Sequence, residues 1–291
     1  MSNGERSEWL VSTDELAGWL DDPDLRLFDC TVHLVPNEKG GMAIESGAAT
    51  YGQAHIPGAA FADLAGDLSD SANPLPFTMP DAQALADAFG RLGVSNESRV
   101  VLYSQAHPMW ATRVWWILRA LGFDKAAVLD GGLTKWRAEG RPLSTEEAHG
   151  YAPDTLAPRH RPEMIASKED MLSAIGARDT CIVNALGKSL HKGEGPSPYG
   201  RVGRIASSVN LPAAGLIDPA TGAFHALDTL RTAFAAIGAD KATRVVTYCG
   251  GGIAATADAF VLSLLGYDNV ALYDNSMSEW ARDPDLPMET G

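Results

Sequence analysis

The sequence predicts an α/β protein made of two tandem domains, each a small parallel sheet with helices on both faces. Three observations support this prediction: the chain has 291 residues, its halves resemble each other, and short apolar segments alternate with helical patterns in both. A typical domain holds roughly 100–200 residues, so this length suits two domains, each able to bury its own core.

The resemblance between the halves indicates a tandem duplication. The segment Arg91–Ser104 (RLGVSNESRVVLYS) resembles Ala236–Cys249 (AIGADKATRVVTYC) at an offset of 145 residues. The segment Leu121–Trp136 then resembles Leu265–Trp280 at an offset of 144 residues. Offsets close to half the chain length favour one duplicated domain over an array of short repeats.

A repeated dipeptide adds to the evidence for duplication, and a proline-rich segment separates the two halves. Tyr51-Gly52 and Tyr199-Gly200 recur at an offset of 148 residues. Between the halves, prolines recur without apolar periodicity, which is typical of a linker. We therefore predict a first domain over 8–143, a linker over 144–162 and a second domain over 163–291.

In the first half, helical and extended patterns alternate. Ser12 and Glu15 form a capping box ahead of apolar residues at helical spacing, which predicts a helix start. The elements predicted after it are a strand over Leu25–Phe28, a helix over Asp81–Leu92, a strand over Val100–Tyr103, a helix over Trp110–Leu121 and a strand over Ala126–Leu129.

The second half repeats this order of elements. They are a helix over Leu230–Ile237, a strand over Val245–Tyr248, a helix over Ile253–Leu265 and a strand over Val270–Tyr273. Short, wholly apolar strands between helices favour a parallel sheet that is covered on both faces.

Composition excludes several classes of function. With 23 basic and 37 acidic residues, the net charge of −14 repels phosphate backbones and anionic lipid, so neither nucleic acid nor a membrane is an expected partner. No apolar run reaches the ~20 residues of a membrane span, and the polar start carries no signal peptide, so we expect a cytoplasmic protein. Three cysteines fit neither a disulfide framework nor a zinc pattern.

The strongest chemical signal lies in Arg244–Gly266 (RVVTYCGGGIAATADAFVLSLLG). A buried strand ends at Tyr248, Cys249 follows, and a glycine turn leads into a helix. Glycines let successive N–H groups face one anion, and the helix N-terminus adds partial positive charge. This pattern predicts a nucleophilic thiolate at Cys249. The residues predicted to hold its charge are Gly250, Gly251, Gly252, Ile253 and Ala254.

Other interpretations of this loop explain less of it. A buried structural cysteine does not require the glycines. Gly250, Gly252 and Ala255 satisfy the dinucleotide pattern G-x-G-x-x-A, but only 17 residues follow the strand-end Asp274. A cysteine phosphatase needs an arginine six residues after the nucleophile, where this chain has Ala255.

Taken together, the motifs resemble the tandem-domain rhodanese sulfurtransferases over nearly the whole chain. The first half carries this resemblance in 55–59 (HIPGA), 113–116 (RVWW) and 129–136 (LDGGLTKW). The second half carries it in 249–254 (CGGGIA) and 274–280 (DNSMSEW). The resemblance implies two rhodanese-like domains.

It further implies that the second domain holds the active cysteine and that the first is a degenerate copy. The sequence of the first half agrees with this implication, since Ser104 corresponds to Cys249 and the segment 105–108 replaces the glycine nest. Pro108 has no N–H group to offer an anion.

The implied chemistry is two-step covalent catalysis. Cys249 would take the outer sulfur of a small anionic donor, thiosulfate or 3-mercaptopyruvate, and become a persulfide. Cyanide, a small thiol or a thioredoxin-like dithiol would then accept that sulfur, and no metal or organic cofactor is needed. The alternative is a sulfur-carrier or persulfide-sensing protein without turnover, which hands sulfur to a protein partner.

The sequence departs from the family where the donor would bind. The family's aspartate-x-arginine reads Asn184-Ala185-Leu186, a further arginine falls on Leu190, and His-Ile-Pro-Gly reads Arg204-Ile205-Ala206-Ser207. A basic segment around His191 offers replacements, with a solvated basic loop as the alternative. The residues predicted to bind the donor are Lys192, Arg201 and Arg204. The neutral loop, with Gly251 where relatives specific for mercaptopyruvate have serine, leaves the donor open.

Overall fold

The computed structural model describes residues 9–37, 42–105, 107–146 and 150–291. The predicted domain start at residue 8 and Ala106 of the first-half loop lie outside these ranges. The chain divides into two compact units. The first takes the chain up to Ser71, Met79–Arg161 and Pro219–Ala223, and the second takes Ala72–Thr78, Pro162–Asp218 and Phe224–Gly291.

The described part of the first unit contains a parallel sheet in the order β1-β7-β6-β2-β5. Its strands are β1 (Leu10–Val11), β2 (Leu25–Asp29), β3 (Val32–Pro36), β4 (Met42–Ser46), β5 (Ala60–Phe61), β6 (Arg99–Tyr103) and β7 (Ala126–Leu129). Its helices are α1 (Thr13–Ala17), α2 (Ala48–Gln53), α3 (Ala82–Arg91), α4 (Met109–Ala120) and α5 (Gly132–Ala138). The strands β3 and β4 form a separate antiparallel pair that we did not predict.

The helix starts follow from local side-chain chemistry. The Ser12 hydroxyl accepts the Glu15 N–H at 3.2 Å, and the Glu15 carboxylate accepts the Ser12 N–H at 2.9 Å, which confirms the predicted capping box. The Asp81 carboxylate likewise accepts the Ala84 N–H at 2.9 Å and begins α3.

The described part of the second unit contains a parallel sheet in the order β11-β9-β12-β13-β8. Its strands are β8 (Ile165–Ala166), β9 (Thr180–Asn184), β10 (Arg204–Ile205), β11 (Val209–Asn210), β12 (Arg244–Tyr248), β13 (Val270–Tyr273) and β14 (Met288–Glu289). Its helices are α6 (Lys168–Ala174), α7 (Lys188–Lys192), α8 (Leu227–Ala236), α9 (Ala254–Leu264) and α10 (Ser276–Trp280). The strands β10 and β14 form an antiparallel pair.

The duplication extends to single hydrogen bonds. The central strands β6 and β12 both end in a buried tyrosine. The Tyr103 hydroxyl accepts the Ile56 N–H at 3.2 Å, and the Tyr248 hydroxyl accepts the Ile205 N–H at 3.1 Å. Both halves therefore build the carboxyl end of the central strand in the same way.

The segment predicted to be a linker packs on the first unit. The Asp154 N–H donates to the Gly90 carbonyl oxygen at 2.8 Å, and the Arg159 N–H donates to that of Leu121 at 2.6 Å. The assignment of Ala72–Thr78 to the second unit and of Pro219–Ala223 to the first was not predicted.

α9 is apolar on nearly every side because the second unit buries almost all of it. At 11 residues it is far shorter than a bilayer crossing requires. In the described ranges, no helix combines the length and apolar character of a membrane span.

Candidate active site

Cys249 lies at the carboxyl end of β12 and immediately before the turn that leads into α9. Its thiol is free, and the residue is 3% exposed. Gly252 has a φ of 73°, a left-handed conformation that glycine adopts without strain. The predicted order of strand, cysteine, glycine turn and helix is present.

Several N–H groups of this turn are available to an anion. Among the described residues, no group accepts the N–H of Gly250, Gly251 or Ile253. Ile253 directly precedes α9, whose partial positive charge is concentrated at this end. Donors without acceptors beside a buried cysteine make this turn suitable for holding a sulfur anion.

Ser276 supports the turn from its buried side. Its hydroxyl oxygen accepts the N–H groups of Cys249 at 3.0 Å and Gly252 at 3.2 Å. The same hydroxyl donates to the Tyr273 carbonyl oxygen at 2.8 Å, so one side chain engages three backbone groups. The Gly252 N–H, which we predicted to hold the sulfur anion, therefore also bonds to a side chain.

Residues that follow Ser276 fix the carbonyl groups of the turn. The Met277 N–H donates to the Cys249 carbonyl oxygen at 3.1 Å. The Ser278 N–H and hydroxyl both donate to the Gly250 carbonyl oxygen, at 2.8 Å and 2.7 Å. Residues of α10 therefore hold the carbonyl groups of Cys249 and Gly250, and these bonds fix the backbone of the turn.

Tyr199 lies against the turn. A Cβ atom placed on Gly250 would be 2.1 Å from the Tyr199 hydroxyl oxygen, so the tyrosine occupies the space that a side chain would need. Burial and, secondarily, the negative charge of Cys249 raise the pKa of Tyr199 to about 12. Tyr199 therefore carries its proton at neutral pH beside the cysteine.

Arg201, one of the predicted donor-binding residues, is engaged with backbone carbonyl groups. Its guanidinium donates to the carbonyl oxygens of Leu286 at 2.9 Å, Trp280 at 3.2 Å and Asp283. These carbonyls lie at the C-terminal end of α10 and just beyond it, where a cation stabilises the helix. This set of contacts favours a structural role over the predicted anion-binding role.

Arg204 uses part of its guanidinium for contacts within the protein. Its guanidinium donates to the Gly291 carbonyl oxygen at 2.8 Å and pairs with Glu289 at 3.3 Å. Its buried Nε atom has no acceptor among the described residues. Arg204 therefore retains one unpaired donor, which is buried.

The other members of the basic segment differ in charge. Lys192 is exposed, and its ammonium lies 3.8 Å from the Glu194 carboxylate. His191 accepts a hydrogen bond from the Asn184 side-chain amide at 3.1 Å. Burial, with a smaller contribution from Arg204, lowers the pKa of His191 to about 4, so this ring adds no positive charge near neutral pH.

Among the residues that the structure describes, the corresponding strand end of the first unit differs from the turn at Cys249. The Ser104 hydroxyl donates to the His107 carbonyl oxygen at 2.8 Å, and the Gln105 N–H donates to the Thr31 hydroxyl at 2.9 Å. Pro108, the residue before α4, has no N–H group. Around Ser104, therefore, the Gln105 N–H is already paired and Pro108 offers no N–H group to an anion.

Sequence reasoning missed Ser276 and Tyr199 as site residues. Ser276 lies in the repeated strand-end motif, and its φ of 50° matches the 52° of the corresponding Gly132. A serine where the other copy has a left-handed glycine is a signal that could have identified it. Tyr199 recurs as Tyr51, but nothing in the spacing places it near position 249.

Comparison with known proteins gives consistent matches over nearly the whole chain. The model of the family described as "Rhodanese-like domain" matches residues 12–139 and 194–283. The chain is 31% identical to the 3-mercaptopyruvate sulfurtransferase of Escherichia coli K12, over 97% of this chain and 98% of that protein. It is 30% identical to the sulfur carrier protein TtuD of Thermus thermophilus, over 98% of this chain and 97% of the carrier.

A solved structure extends this similarity to the fold. The crystal structure of SseA from Escherichia coli, described as a 3-mercaptopyruvate sulfotransferase with the "Rhodanese" fold, superposes with a TM-score of 0.81. The two chains are 30% identical, and the match covers 92% of this chain and 98% of SseA.

Proposed function

The chain belongs to the rhodanese family and is a sulfurtransferase, and on this premise we propose that Cys249 carries the transferred sulfur as a persulfide. The observation that carries the proposal is the turn itself. A buried free thiol adjoins the N–H groups of Gly250, Gly251 and Ile253, which have no acceptor among the described residues.

In the first half-reaction, the Cys249 thiolate attacks the outer sulfur of the donor. With thiosulfate the donor S–S bond breaks and sulfite leaves with the electron pair. With 3-mercaptopyruvate the C–S bond breaks, and the departing enolate takes up a proton to give pyruvate. The turn stabilises the new persulfide anion through its N–H groups.

In the second half-reaction, a thiophile attacks the outer sulfur and Cys249 leaves as a thiolate. Cyanide would give thiocyanate, and a thiol or thioredoxin-like dithiol would take the sulfur as its own persulfide. Among the predicted donor-binding residues, Lys192 and Arg204 remain the better candidates because Arg201 is saturated with carbonyl contacts.

All three cysteines are free. Free thiols suit a reducing compartment, and we propose the cytoplasm as the site of action.

Intact-mass spectrometry after treatment with either donor tests the proposal. We expect a gain of one sulfur atom in the wild-type protein and none in Cys249→Ser. Cys181→Ser is a matched control, since burial raises the pKa of Cys181 to about 11 and leaves it a poor nucleophile. A sulfur that persists in Cys249→Ser would refute the assignment.

A second candidate function is a sulfur carrier without rapid turnover, which the similarity to TtuD favours. Turnover distinguishes the two functions. With excess donor and cyanide, an enzyme produces many thiocyanate ions per chain, whereas a carrier loaded once produces about one. The ratio of kcat/KM for thiosulfate to that for 3-mercaptopyruvate then identifies the donor.

A further inference from the structure

Two tyrosines occupy equivalent places in the duplicated sequence, yet their hydroxyl groups differ in bonding. Tyr51 donates its hydroxyl proton to the Ala59 carbonyl oxygen at 2.6 Å and stacks on His55 with ring centroids 4.2 Å apart. Its counterpart Tyr199 has a hydroxyl with no hydrogen-bond partner among the described residues. The first copy uses this hydroxyl to hold the fold, and the second leaves it free.

The free hydroxyl is placed at the reacting cysteine. The end of the Tyr199 ring lies over Gly250, since a Cβ atom there would be 2.1 Å from the hydroxyl oxygen and 2.2 Å from Cζ. The hydroxyl is close enough to Cys249 to sense its charge, although the structure records no hydrogen bond to the sulfur. It is therefore near the thiolate without being bonded to it.

Formation of a persulfide would move the negative charge to a second sulfur atom, which lies farther from the Cys249 backbone. The outer sulfur extends about 2 Å beyond the cysteine sulfur, the length of an S–S bond. It also carries the negative charge, which makes it the better acceptor. An added sulfur can therefore reach a donor that the resting thiolate does not.

We propose that the Tyr199 hydroxyl donates a hydrogen bond to the outer sulfur of the Cys249 persulfide. The proposal rests on the proposed function, because it requires that the persulfide forms. Tyr199 stabilises the loaded state and leaves the resting thiolate unchanged. No proton is transferred, since the hydrogen stays on the tyrosine oxygen.

The equilibrium of persulfide formation provides the test. Thiosulfate and the thiolate give persulfide and sulfite, so the loaded fraction at set ratios of thiosulfate to sulfite yields the equilibrium constant. A hydrogen bond to a charged acceptor predicts that Tyr199→Phe lowers this constant about tenfold to a hundredfold. The rate at which iodoacetamide alkylates the resting thiol should stay within about twofold of wild type across pH 6 to 9.

A matched variant separates this role from a structural one. Tyr51→Phe loses the bond to Ala59, so it should lower the melting temperature and leave the persulfide equilibrium unchanged. Tyr199→Phe loses no hydrogen bond that the described residues make, so its melting temperature should match that of wild type.

The outcomes are distinguishable. An unchanged equilibrium constant in a Tyr199→Phe protein that still forms the persulfide overturns this inference and leaves the proposed function intact. Failure of the wild-type protein to form any persulfide overturns the proposed function itself. If Tyr199→Phe does not fold, loading the wild-type protein should still shift tyrosine ultraviolet absorption, and an absent shift overturns the inference.

Discussion

The hydroxyl oxygen of Ser276 lies 3.0 Å from the backbone nitrogen of Cys249 and accepts its N–H. Ser276 adopts a left-handed backbone with a φ of 50°, although it is not a glycine. Such a conformation costs roughly 1–2 kcal/mol. The three hydrogen bonds of its hydroxyl offset that cost and fix the start of the turn.

Removal of this hydroxyl should damage the turn. Ser276→Ala removes the hydroxyl that accepts the buried N–H groups of Cys249 and Gly252, so we expect a loss of about 1–3 kcal/mol in the free energy of unfolding and at least about tenfold slower persulfide formation. Ser276→Gly relieves the left-handed backbone, so it should be about 1 kcal/mol more stable than the alanine variant and equally slow. Urea denaturation and single-turnover mass spectrometry measure both effects. Persulfide formation at the wild-type rate in Ser276→Ala would show that the hydroxyl does not position Cys249.

The neighbouring glycines should respond differently to the same substitution. A Cβ atom on Gly251 would meet nothing closer than 3.6 Å, whereas one on Gly250 would be 2.1 Å from Tyr199. Gly251→Ser should therefore fold with stability within about 0.5 kcal/mol of wild type, and Gly250→Ser should lose about 2 kcal/mol or more.

Gly251→Ser also tests the donor. Relatives specific for mercaptopyruvate are expected to have serine here, so the variant should raise kcat/KM for 3-mercaptopyruvate relative to that for thiosulfate. An unchanged ratio would show that this position does not select the donor.

Arg201→Ala distinguishes two roles of its guanidinium. If the side chain mainly holds carbonyl groups around α10, the variant should lose about 1.5–3 kcal/mol of stability with little change in donor KM. If it binds the donor, KM should rise strongly while stability stays near wild type. Thermal denaturation and steady-state kinetics measure both effects, and Lys125→Ala, which removes an exposed lysine of the first unit, is the control.

Asp258 should limit stability at neutral pH. Neither of its buried carboxylate oxygens has a partner among the described residues, and burial raises its pKa well above the ordinary value. At pH 7 the unfolded chain releases this proton and the folded chain keeps it, so stability falls as pH rises above the unfolded pKa. Asp258→Leu should therefore add about 1–3 kcal/mol at pH 7 and less at pH 4. Asp258→Asn, which cannot titrate, is the control, and an equal gain from Asp258→Leu at both pH values would contradict the assignment.

His191 should contribute the opposite dependence. Its pKa falls from 6.5 to about 4 on folding, so the unfolded chain binds the proton first as the solution is acidified. Stability should then decline between about pH 6.5 and pH 4, by about 1 kcal/mol after solvent screening. His191→Gln keeps an acceptor for Asn184 and should flatten this decline in urea titrations. The same slope in the variant would assign the decline to other groups.

The sequence predicted the fold well because its strongest signals are local. Apolar strands, the Ser12 capping box and the glycine turn each act over a few residues, and the elements that we predicted formed near their predicted bounds. The contacts that complete the site join distant positions. Ser276 lies 27 residues from Cys249, and Tyr199 lies 50 residues from it, so neither pairing leaves a trace in periodicity.

The basic segment illustrates a different limit. The number of basic residues in the sequence indicates a cluster of cations, but it does not show which groups each cation contacts. Arg201 lies in that cluster, yet four carbonyl groups at or beyond the end of α10 accept hydrogen bonds from its guanidinium. A backbone carbonyl is an acceptor in every residue, so no sequence pattern distinguishes this arrangement from an open anion site.

The exchange of Ala72–Thr78 and Pro219–Ala223 between the units bears on where the chain can be divided. Each modern half now lacks a piece that the other half encodes, so cutting the gene at the repeat boundary would produce two incomplete fragments. Each half expressed alone should therefore unfold at a lower temperature than its unit does in the full chain.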